Sequence, residues 1–149
     1  MEKPRVLIAD DDDATCTLLN ALLRGEFVVE IANDGHEAIE KLKSRQYAAI
    51  LLDLLMPGAD GYDVLDFLKS DAPHLLQRVL VVTAALSSRE TQRVSTYETC
   101  GVIRKPFELD VLQTMVRQCA GAGGGDPFLG RPLIAGGMFL LLADLIVRH

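Results

Sequence analysis

Short, wholly apolar runs alternate with amphipathic stretches along most of the chain. Apolar runs without polar alternation are typical of parallel strands that are buried on both faces. The intervening stretches repeat apolar residues three or four positions apart, which is the spacing of one helix face. The pattern predicts strands at residues 5–9, 27–32, 48–53, 78–83 and 101–103. A helix follows each strand: the first ends near Gly25, and the others are predicted at 35–45, 61–70, 88–98 and 107–119.

Each helix is predicted to bury one face. The fourth is the weakest, because it is rich in Ser and Thr and offers only Val94 and Tyr97 to a core. Tyr97 is interpreted as a half-buried residue, with a place on an interaction surface as the alternative. The predicted core positions of the other helices are Leu18, Leu19, Leu22 and Leu23, then Ala38, Ile39 and Leu42, then Val64, Leu65 and Leu68, and last Leu112, Met115 and Val116.

The alternation of strands and helices indicates an α/β fold, since parallel strands need crossover connections. Crossovers are almost always right-handed, which leaves few topologies. We therefore predict a doubly wound, flavodoxin-like fold with a five-stranded parallel sheet in the strand order 2-1-3-4-5. The strand at 48–53 is the most central in this arrangement.

The composition changes after Cys119, which divides the chain into three parts. Residues 1–120 form the predicted domain, 121–132 a Gly- and Pro-rich flexible linker, and 133–149 an apolar C-terminal tail that is expected to be helical. The apolar stretch of about fifteen residues is shorter than the roughly twenty that span a bilayer, and Asp144 would be costly in lipid. We predict that the tail packs against protein, either this domain or a second copy in a homodimer. Peripheral membrane contact and disorder are the weaker alternatives.

Charge and cysteine content narrow the functional classes. A formal net charge of −6 without any basic stripe argues against a nucleic-acid-binding surface, because neutralising phosphates requires clustered Lys and Arg. The amino terminus lacks the apolar region and cleavage site of a signal peptide, so a cytoplasmic protein is expected. Cys16, Cys100 and Cys119 are odd in number and show no paired spacing, and we predict that they are buried thiols in a reducing compartment.

Polar residues lie at the carboxyl ends of four predicted strands. An acidic run at 10–13 follows the first strand, Asp53 ends the third, Thr83 ends the fourth and Lys105 follows the fifth. In an open parallel sheet these ends form the edge where ligands bind. Carboxylates that share a site repel unless a cation neutralises them, and oxygen ligands with open positions suit Mg²⁺. An Asp in such a site can attack a phosphoryl group to give an aspartyl phosphate.

Four segments, VLIADDDD, LLDLLMPGADGYDVL, VLVVTAAL and RKPF, resemble the receiver domain of two-component response regulators. The resemblance covers about residues 5–119 and implies the CheY-like form of the fold. It implies that Asp53 accepts a phosphoryl group from a histidine kinase or a phosphotransfer protein, with Mg²⁺ as the cofactor. Carried over residue by residue, it implies metal binding by Asp10, Asp11, Asp53 and the backbone carbonyl of Leu55, and catalytic roles for Thr83, the switch hydroxyl, and for Lys105.

The resemblance also implies how such a domain would act. A cis bond between Lys105 and Pro106 would aim the lysine back at the site. Phosphorylation adds nearly two negative charges, and Thr83 and Lys105 would then be drawn inward and bias the fourth helix, whose surface a downstream protein partner would bind. About thirty residues follow the last predicted helix, too few for a helix-turn-helix output domain. A stand-alone regulator is therefore expected. The resemblance implies that it is not an enzyme but a phosphoacceptor signalling domain, which catalyses only its own phosphotransfer and dephosphorylation.

Two departures and two alternative functions accompany this interpretation. Val102 stands three residues before the lysine, where the family often has an aromatic residue. The acidic run is aligned with its first two residues as the metal pair, which leaves Asp13 to cap the first helix. A receiver-like interaction scaffold that does not switch is one alternative function. A haloacid-dehalogenase-like phosphatase is the other, because Asp11, Asp13 and Thr15 have the spacing of its nucleophile motif, although no late acidic pair follows Thr83.

Overall fold

The computed structural model describes residues 2–84 and 86–121 of the chain. The predicted linker, apart from Gly121, and the predicted apolar tail at 133–149 lie outside the described residues. Among the helices within those two ranges, none is both long enough and apolar enough to cross a membrane.

Strands and helices alternate along the described residues, close to the predicted positions. The strands are β1 (Arg5–Ala9), β2 (Val28–Ala32), β3 (Ala49–Leu52), β4 (Val79–Thr83) and β5 (Gly101–Arg104). The α-helices are α1 (Asp13–Leu23), α2 (Gly35–Ser44), α3 (Gly61–Asp71), α4 (Ser88–Ser95) and α5 (Leu109–Gly121). A 3-10 helix at Pro73–Arg78, which the sequence pattern does not predict, leads from α3 into β4.

The strands form one parallel sheet in the order β2-β1-β3-β4-β5, which confirms the predicted flavodoxin-like topology. The central strand β3 pairs with β1 on one side, where Leu51 faces Ile8, and with β4 on the other, where Ile50 faces Val79. Every residue of β3 and β4 is buried, because helices cover both faces of the sheet. The topological switch point therefore lies beside the end of β3.

Apolar side chains form one core on each face of the sheet. Residues of α2, α3 and α4 contribute to one core, and residues of α1 and α5 to the other. The predicted core positions of α3 and α5 are all buried. As predicted, α4 buries only Val94 of its own residues, and Tyr97 is buried just beyond its end.

The prediction that Leu18 of α1 belongs to the core is wrong. Leu18 is 44% exposed, whereas Leu19 and Leu23 are buried. The buried face of α1 is centred on Cys16, Leu19 and Leu23, which are three and four positions apart and so lie on one side of the helix. Leu18 lies well to one side of that face, and Leu22 at its margin is half-buried.

Cys100 and Cys119 form a disulfide bond, so the prediction of three buried thiols is wrong. Cys100 precedes β5 and Cys119 lies near the end of α5, and the helix returns across the sheet so that their Cα atoms are 5.7 Å apart. The bridge joins residues 19 positions apart. Their pairing could not be predicted from the local sequence, because it depends on where α5 packs against the sheet. Cys16 remains as a free, buried thiol.

Reducing this disulfide is expected to lower the melting temperature by roughly 10 °C. A bridge that closes a loop of this length contributes about 3 kcal/mol, mainly by restricting the unfolded chain, and each kcal/mol shifts the melting temperature of a domain of this size by about 4 °C. Thermal unfolding of the full chain with and without a reductant measures the change. The Cys119→Ala variant is the control, since its melting temperature should not respond to the reductant. Three free thiols in the unfolded, unreduced chain would contradict the bond.

Candidate functional site at the carboxyl edge of the sheet

The sheet brings the predicted polar residues together at its carboxyl edge. Asp10 follows β1 directly and Asp53 follows β3. The N–H of Asp53 donates to the carbonyl of Ala9 at 2.9 Å, and the N–H of Lys105 donates to the carbonyl of Thr83 at 3.0 Å. These bonds continue the hydrogen-bond ladder between neighbouring strands, so the sheet fixes the backbone positions of Asp53 and Lys105.

Asp10, Asp11 and Asp53 form a carboxylate cluster in which one oxygen of each lies within 4.8 Å of the other two. Asp10 is 3% exposed and Asp53 is 7% exposed, whereas Asp11 lies at the surface. Like charges this close disfavour ionisation unless positive charge is near. The cluster therefore requires a cation or an ammonium group.

Lys105 supplies one positive charge to the cluster. Its Nζ donates to Oδ2 of Asp10 at 2.7 Å and to Oδ2 of Asp53 at 3.2 Å, so that it bridges the two buried carboxylates. The Lys105–Pro106 bond is cis, which confirms the prediction for that bond.

Burial and charge act against each other in this group. Burial raises the pKa of the Asp10 carboxyl and the Asp53 charge adds to the increase, while the bonds from Lys105 and from the N–H of Asp12 oppose it. Burial disfavours the charged form of Lys105, but the hydrogen bond to Asp10 and the nearby negative charges outweigh it and raise the pKa of Lys105. Lys105 is therefore charged at neutral pH. One ammonium does not balance three carboxylates, so the cluster can accept a further cation.

The Asp residues of the acidic run after β1 differ in their structural roles. Oδ1 of Asp10 accepts the N–H of Asp12 at 2.9 Å. Asp12 is the cap of α1, and its carboxylate accepts both the hydroxyl and the N–H of Thr15, which lowers the pKa of Asp12. The prediction that Asp13 caps the helix is therefore wrong, because Asp13 is the first residue of α1. The helix begins one residue earlier than predicted, since Thr15 gives Asp12 two donors at the cap position.

Two predicted site residues remain, Thr83 and Leu55. Thr83 is fully buried at the end of β4. Leu55 is 62% exposed, and its N–H donates to Oδ1 of Asp53 at 3.2 Å, so its main chain lies against the Asp53 carboxylate. Val102 on β5 is partly buried and packs against the core that α2, α3 and α4 share.

Gly61 lies directly behind Asp53 and was not among the predicted site residues. Its N–H donates to the carbonyl of Leu54 at 3.0 Å. A Cβ atom at this position would overlap the carbonyl oxygen of Asp53 and lie 2.6 Å from the Cα of Leu54. Both obstacles are backbone atoms, so only glycine lets α3 begin this close to the end of β3. The one available signal was the glycine itself, at the first position of a predicted helix.

The donor set of the carboxylate cluster fits a hard divalent cation such as Mg²⁺. Within residues 2–84 and 86–121, no hydrogen bond or ion pair uses the Asp11 carboxylate, which leaves it able to act as a ligand. The exposed side of the cluster leaves positions for water and for a phosphate oxygen, as Mg²⁺ prefers. The nearby thiol of Cys16 donates to the carbonyl of Asp10 at 3.4 Å, and burial raises its pKa to about 11. It therefore offers no thiolate to a softer metal.

Sequence comparisons place these features in a known context. The sequence model of the response regulator receiver domain matches residues 6–117. The transcriptional regulatory protein ZraR of Klebsiella oxytoca is 34% identical over 113 residues, which are 75% of this chain and 25% of that protein. The regulatory protein VanRB of Enterococcus faecalis is 27% identical over 146 residues, which are 96% of this chain and 63% of that protein. The chain thus spans less than two thirds of the length of these relatives.

Structural comparisons agree on the fold. The receiver domain of the Francisella response regulator 1452 superposes with a TM-score of 0.71 at 25% identity, over 79% of this chain and 97% of that one. The receiver domain of the sensor histidine kinase PA1611 from Pseudomonas aeruginosa PAO1, which has a magnesium ion coordinated in its active site cleft, has a TM-score of 0.72 at 22% identity, over 80% of this chain and 98% of that one. Both neighbours are matched over nearly their whole length.

Proposed function

Because this chain belongs to the response regulator receiver domain family, we propose that it is a phosphoacceptor signalling domain that takes a phosphoryl group onto Asp53. The donor would be the phosphohistidine of a histidine kinase or a phosphotransfer protein. The observation that supports this function best is the arrangement around Asp53. This buried carboxylate directly follows the central strand, lies in a cluster with Asp10 and Asp11, and accepts a hydrogen bond from Lys105.

Asp53 is the carboxylate best placed to react. Asp10 forms the closer contact with Lys105, at 2.7 Å, and also accepts the N–H of Asp12. The two bonds to Asp53 are longer: Oδ1 accepts the N–H of Leu55 and Oδ2 accepts the Lys105 ammonium, each at 3.2 Å, so its oxygens are held less tightly than those of Asp10. Attack on phosphorus by one of these oxygens forms an O–P bond while the P–N bond to the donor imidazole breaks and the imidazole leaves.

The residues around Asp53 would stabilise the transferred group. Lys105 already bridges to Asp53 and could donate to one phosphoryl oxygen, and Thr83, buried at the end of the adjacent strand, would supply its hydroxyl to another. Asp10, Asp11 and Asp53, with the Leu55 carbonyl, would hold Mg²⁺, which when bound supplies positive charge to the phosphoryl oxygens.

Phosphorylation would be transmitted through the helices next to the site. The added charge would draw Thr83 and Lys105 inward and bias the position of α4. A downstream protein partner would then recognise the changed surface. The alternative is a scaffold that does not switch, and it is supported by Val102, a partly buried residue without an aromatic ring.

Incubation of the full chain with acetyl phosphate and Mg²⁺ tests the proposed function. Intact-mass measurement should show the addition of one phosphoryl group, and peptide mapping should place it on Asp53. Phosphate on Asp11, together with repeated turnover of phosphate monoesters, would instead support a haloacid-dehalogenase-like phosphatase. A chain that takes up no phosphate although it binds Mg²⁺ would support the scaffold.

Gly61→Ala is expected to slow phosphoryl uptake by about tenfold, because a small misplacement of reacting groups is costly. The added methyl group must displace the backbone of Asp53 and Leu54, and such overpacking costs about 1–3 kcal/mol of stability. Uptake from acetyl phosphate and the melting temperature are the measurements. Gly25→Ala is the matched control, since nothing lies within 4 Å of a Cβ atom there. Equal uptake by the two variants would show that the backbone behind Asp53 tolerates the shift.

A further inference from the structure

Polar contacts hold α4 to α3, since α4 buries little apolar surface. Only Val94 is buried among the residues of α4. The hydroxyl of Tyr62 in α3 donates to the carboxylate of Glu90, and the guanidinium carbon of Arg93 lies 3.5 Å from the centre of the Tyr62 ring. Glu90 and Arg93 are three positions apart and share one face of α4. One tyrosine of α3 therefore contacts two turns of α4.

A second tyrosine, Tyr97, links the residues just after α4 to α3. The hydroxyl of Tyr97 donates to Oδ1 of Asp66 in α3 at 2.6 Å, and the Tyr62 and Tyr97 ring centres are 6.3 Å apart. Burial raises the pKa of Tyr62, and it raises the pKa of Tyr97 to about 12. Both hydroxyls therefore keep their protons at neutral pH and act as donors. These contacts form a tyrosine clasp that comprises Tyr62, Asp66, Glu90, Arg93 and Tyr97.

Tyr62 is also the residue of the clasp closest in sequence to the backbone of Asp53. It follows Gly61, whose backbone packs against the carbonyl of Asp53 and the Cα of Leu54. A capping box between Asp60 and Asp63 fixes the first turn of α3 around it. A movement of the main chain at Asp53 would therefore reach Tyr62 through one rigid turn, and Tyr62 contacts α4 directly.

We propose that Tyr62 is a positioning residue that couples the state of Asp53 to the position of α4. The inference rests on the proposed function and deepens it, because it names the path by which phosphorylation of Asp53 would reach α4. The tyrosine clasp stabilises α4 against α3 in the unphosphorylated chain. Phosphorylation, in turn, would loosen the contact of Tyr62 with α4. Coupling between two sites is reciprocal, so breaking this contact by mutation must favour the phosphorylated state of Asp53.

The first arm of the test measures whether the clasp holds α4, and it needs no phosphate. Tyr62→Phe keeps the ring beneath Arg93 but removes the donor to Glu90. Amide hydrogen exchange in α4, at residues 91–95, should become at least about tenfold faster, which is the effect of losing one hydrogen bond to a charged group. Glu90→Gln keeps a neutral acceptor for Tyr62, so its exchange rate should lie between those of the wild type and Tyr62→Phe. Tyr47→Phe is the remote control, because its hydroxyl donates to Glu30 at 2.8 Å in the same chemical manner.

The second arm measures coupling to Asp53. Beryllium fluoride with Mg²⁺ serves as a phosphoryl analogue, and its binding to the full chain is titrated. Tyr62→Phe should bind the analogue about fivefold more tightly than the wild type. Tyr97→Phe, which removes the other hydroxyl of the clasp at a point farther from Gly61, should change this affinity by less than about twofold. A purely structural role of the clasp predicts the same change in both variants.

The two measurements test the clasp and its coupling to Asp53 separately. Unchanged exchange of α4 in Tyr62→Phe would overturn the clasp. Faster exchange with equal effects of Tyr62→Phe and Tyr97→Phe on the analogue, or with no effect of either, would overturn the coupling. A wild-type chain that takes neither the analogue nor phosphate would overturn the proposed function and the coupling with it, while the exchange arm would still decide whether the clasp holds α4.

Discussion

Replacing Asp53 with Asn is expected to abolish phosphoryl uptake while the fold remains intact. Asn has nearly the same shape as Asp, and its amide can keep an acceptor for the Leu55 N–H or the Lys105 ammonium. It has no carboxylate oxygen to attack phosphorus, so a stable acyl phosphate cannot form. Lys105 also keeps its ion pair with Asp10, at 2.7 Å, so no buried charge is left without a partner.

The measurement is the intact mass of the variant after incubation with acetyl phosphate and Mg²⁺, with its melting temperature as a check on folding. Asp13→Asn is the matched control. Asp13 is exposed at the start of α1, belongs to the same acidic run, and loses the same charge. Wild-type uptake is expected in this control. A phosphoryl group on the Asp53→Asn chain would mean that another residue is the acceptor.

Asp11→Ala is expected to slow phosphoryl uptake by about 10²–10³-fold, the usual effect of removing one charge-stabilising group from a reaction site. Asp11 is the exposed member of the carboxylate cluster. Among the described residues its carboxylate forms no hydrogen bond or ion pair, so a loss of structural contacts would not account for the slower uptake. Removal of a direct ligand should weaken Mg²⁺ binding by about 100-fold. Loss of a residue that only hydrogen-bonds to a ligand already costs up to about this much. Stability should change little, because the side chain is exposed.

Titration of the full chain with Mg²⁺ by calorimetry measures the loss of metal affinity without any phosphodonor, and the rate of phosphoryl uptake measures the kinetic effect. Asp13→Ala provides the control, because it removes an equal charge two residues away from an exposed helical position. If Asp11→Ala binds Mg²⁺ and takes up phosphate as Asp13→Ala does, the assignment of Asp11 to the metal site is wrong.

The polar residues of the site could be identified from the sequence because each follows or ends an apolar strand. Asp10 follows β1, Asp53 follows β3, Thr83 ends β4 and Lys105 follows β5. The ends of parallel strands must meet at one edge, so their order along the chain was enough to predict that the side chains converge. The structure brings Asp10, Asp53 and Lys105 into contact, and the roles of these residues in phosphoryl transfer stay predictions.

Fine positions within the acidic run could not be predicted in the same way. Four consecutive Asp residues are chemically identical, and only the donors around each one distinguish them. Asp12 rather than Asp13 caps α1, because Thr15 offers it a hydroxyl and an N–H. Asp10 differs from the other Asp residues of the run because Lys105, 95 positions away, reaches it.

The sequence by itself determined the strands, the order of the sheet and the convergence of the site. These features follow from local periodicity, from the apolar character of strands covered on both faces, and from the handedness of crossovers. The tertiary structure decided the Cys100–Cys119 disulfide, the close packing of Gly61 against Asp53 and the bond from Tyr62 to Glu90. Each of these depends on where one element crosses another and on which side chains meet there. Such contacts join residues far apart in the chain, and no local spacing records them.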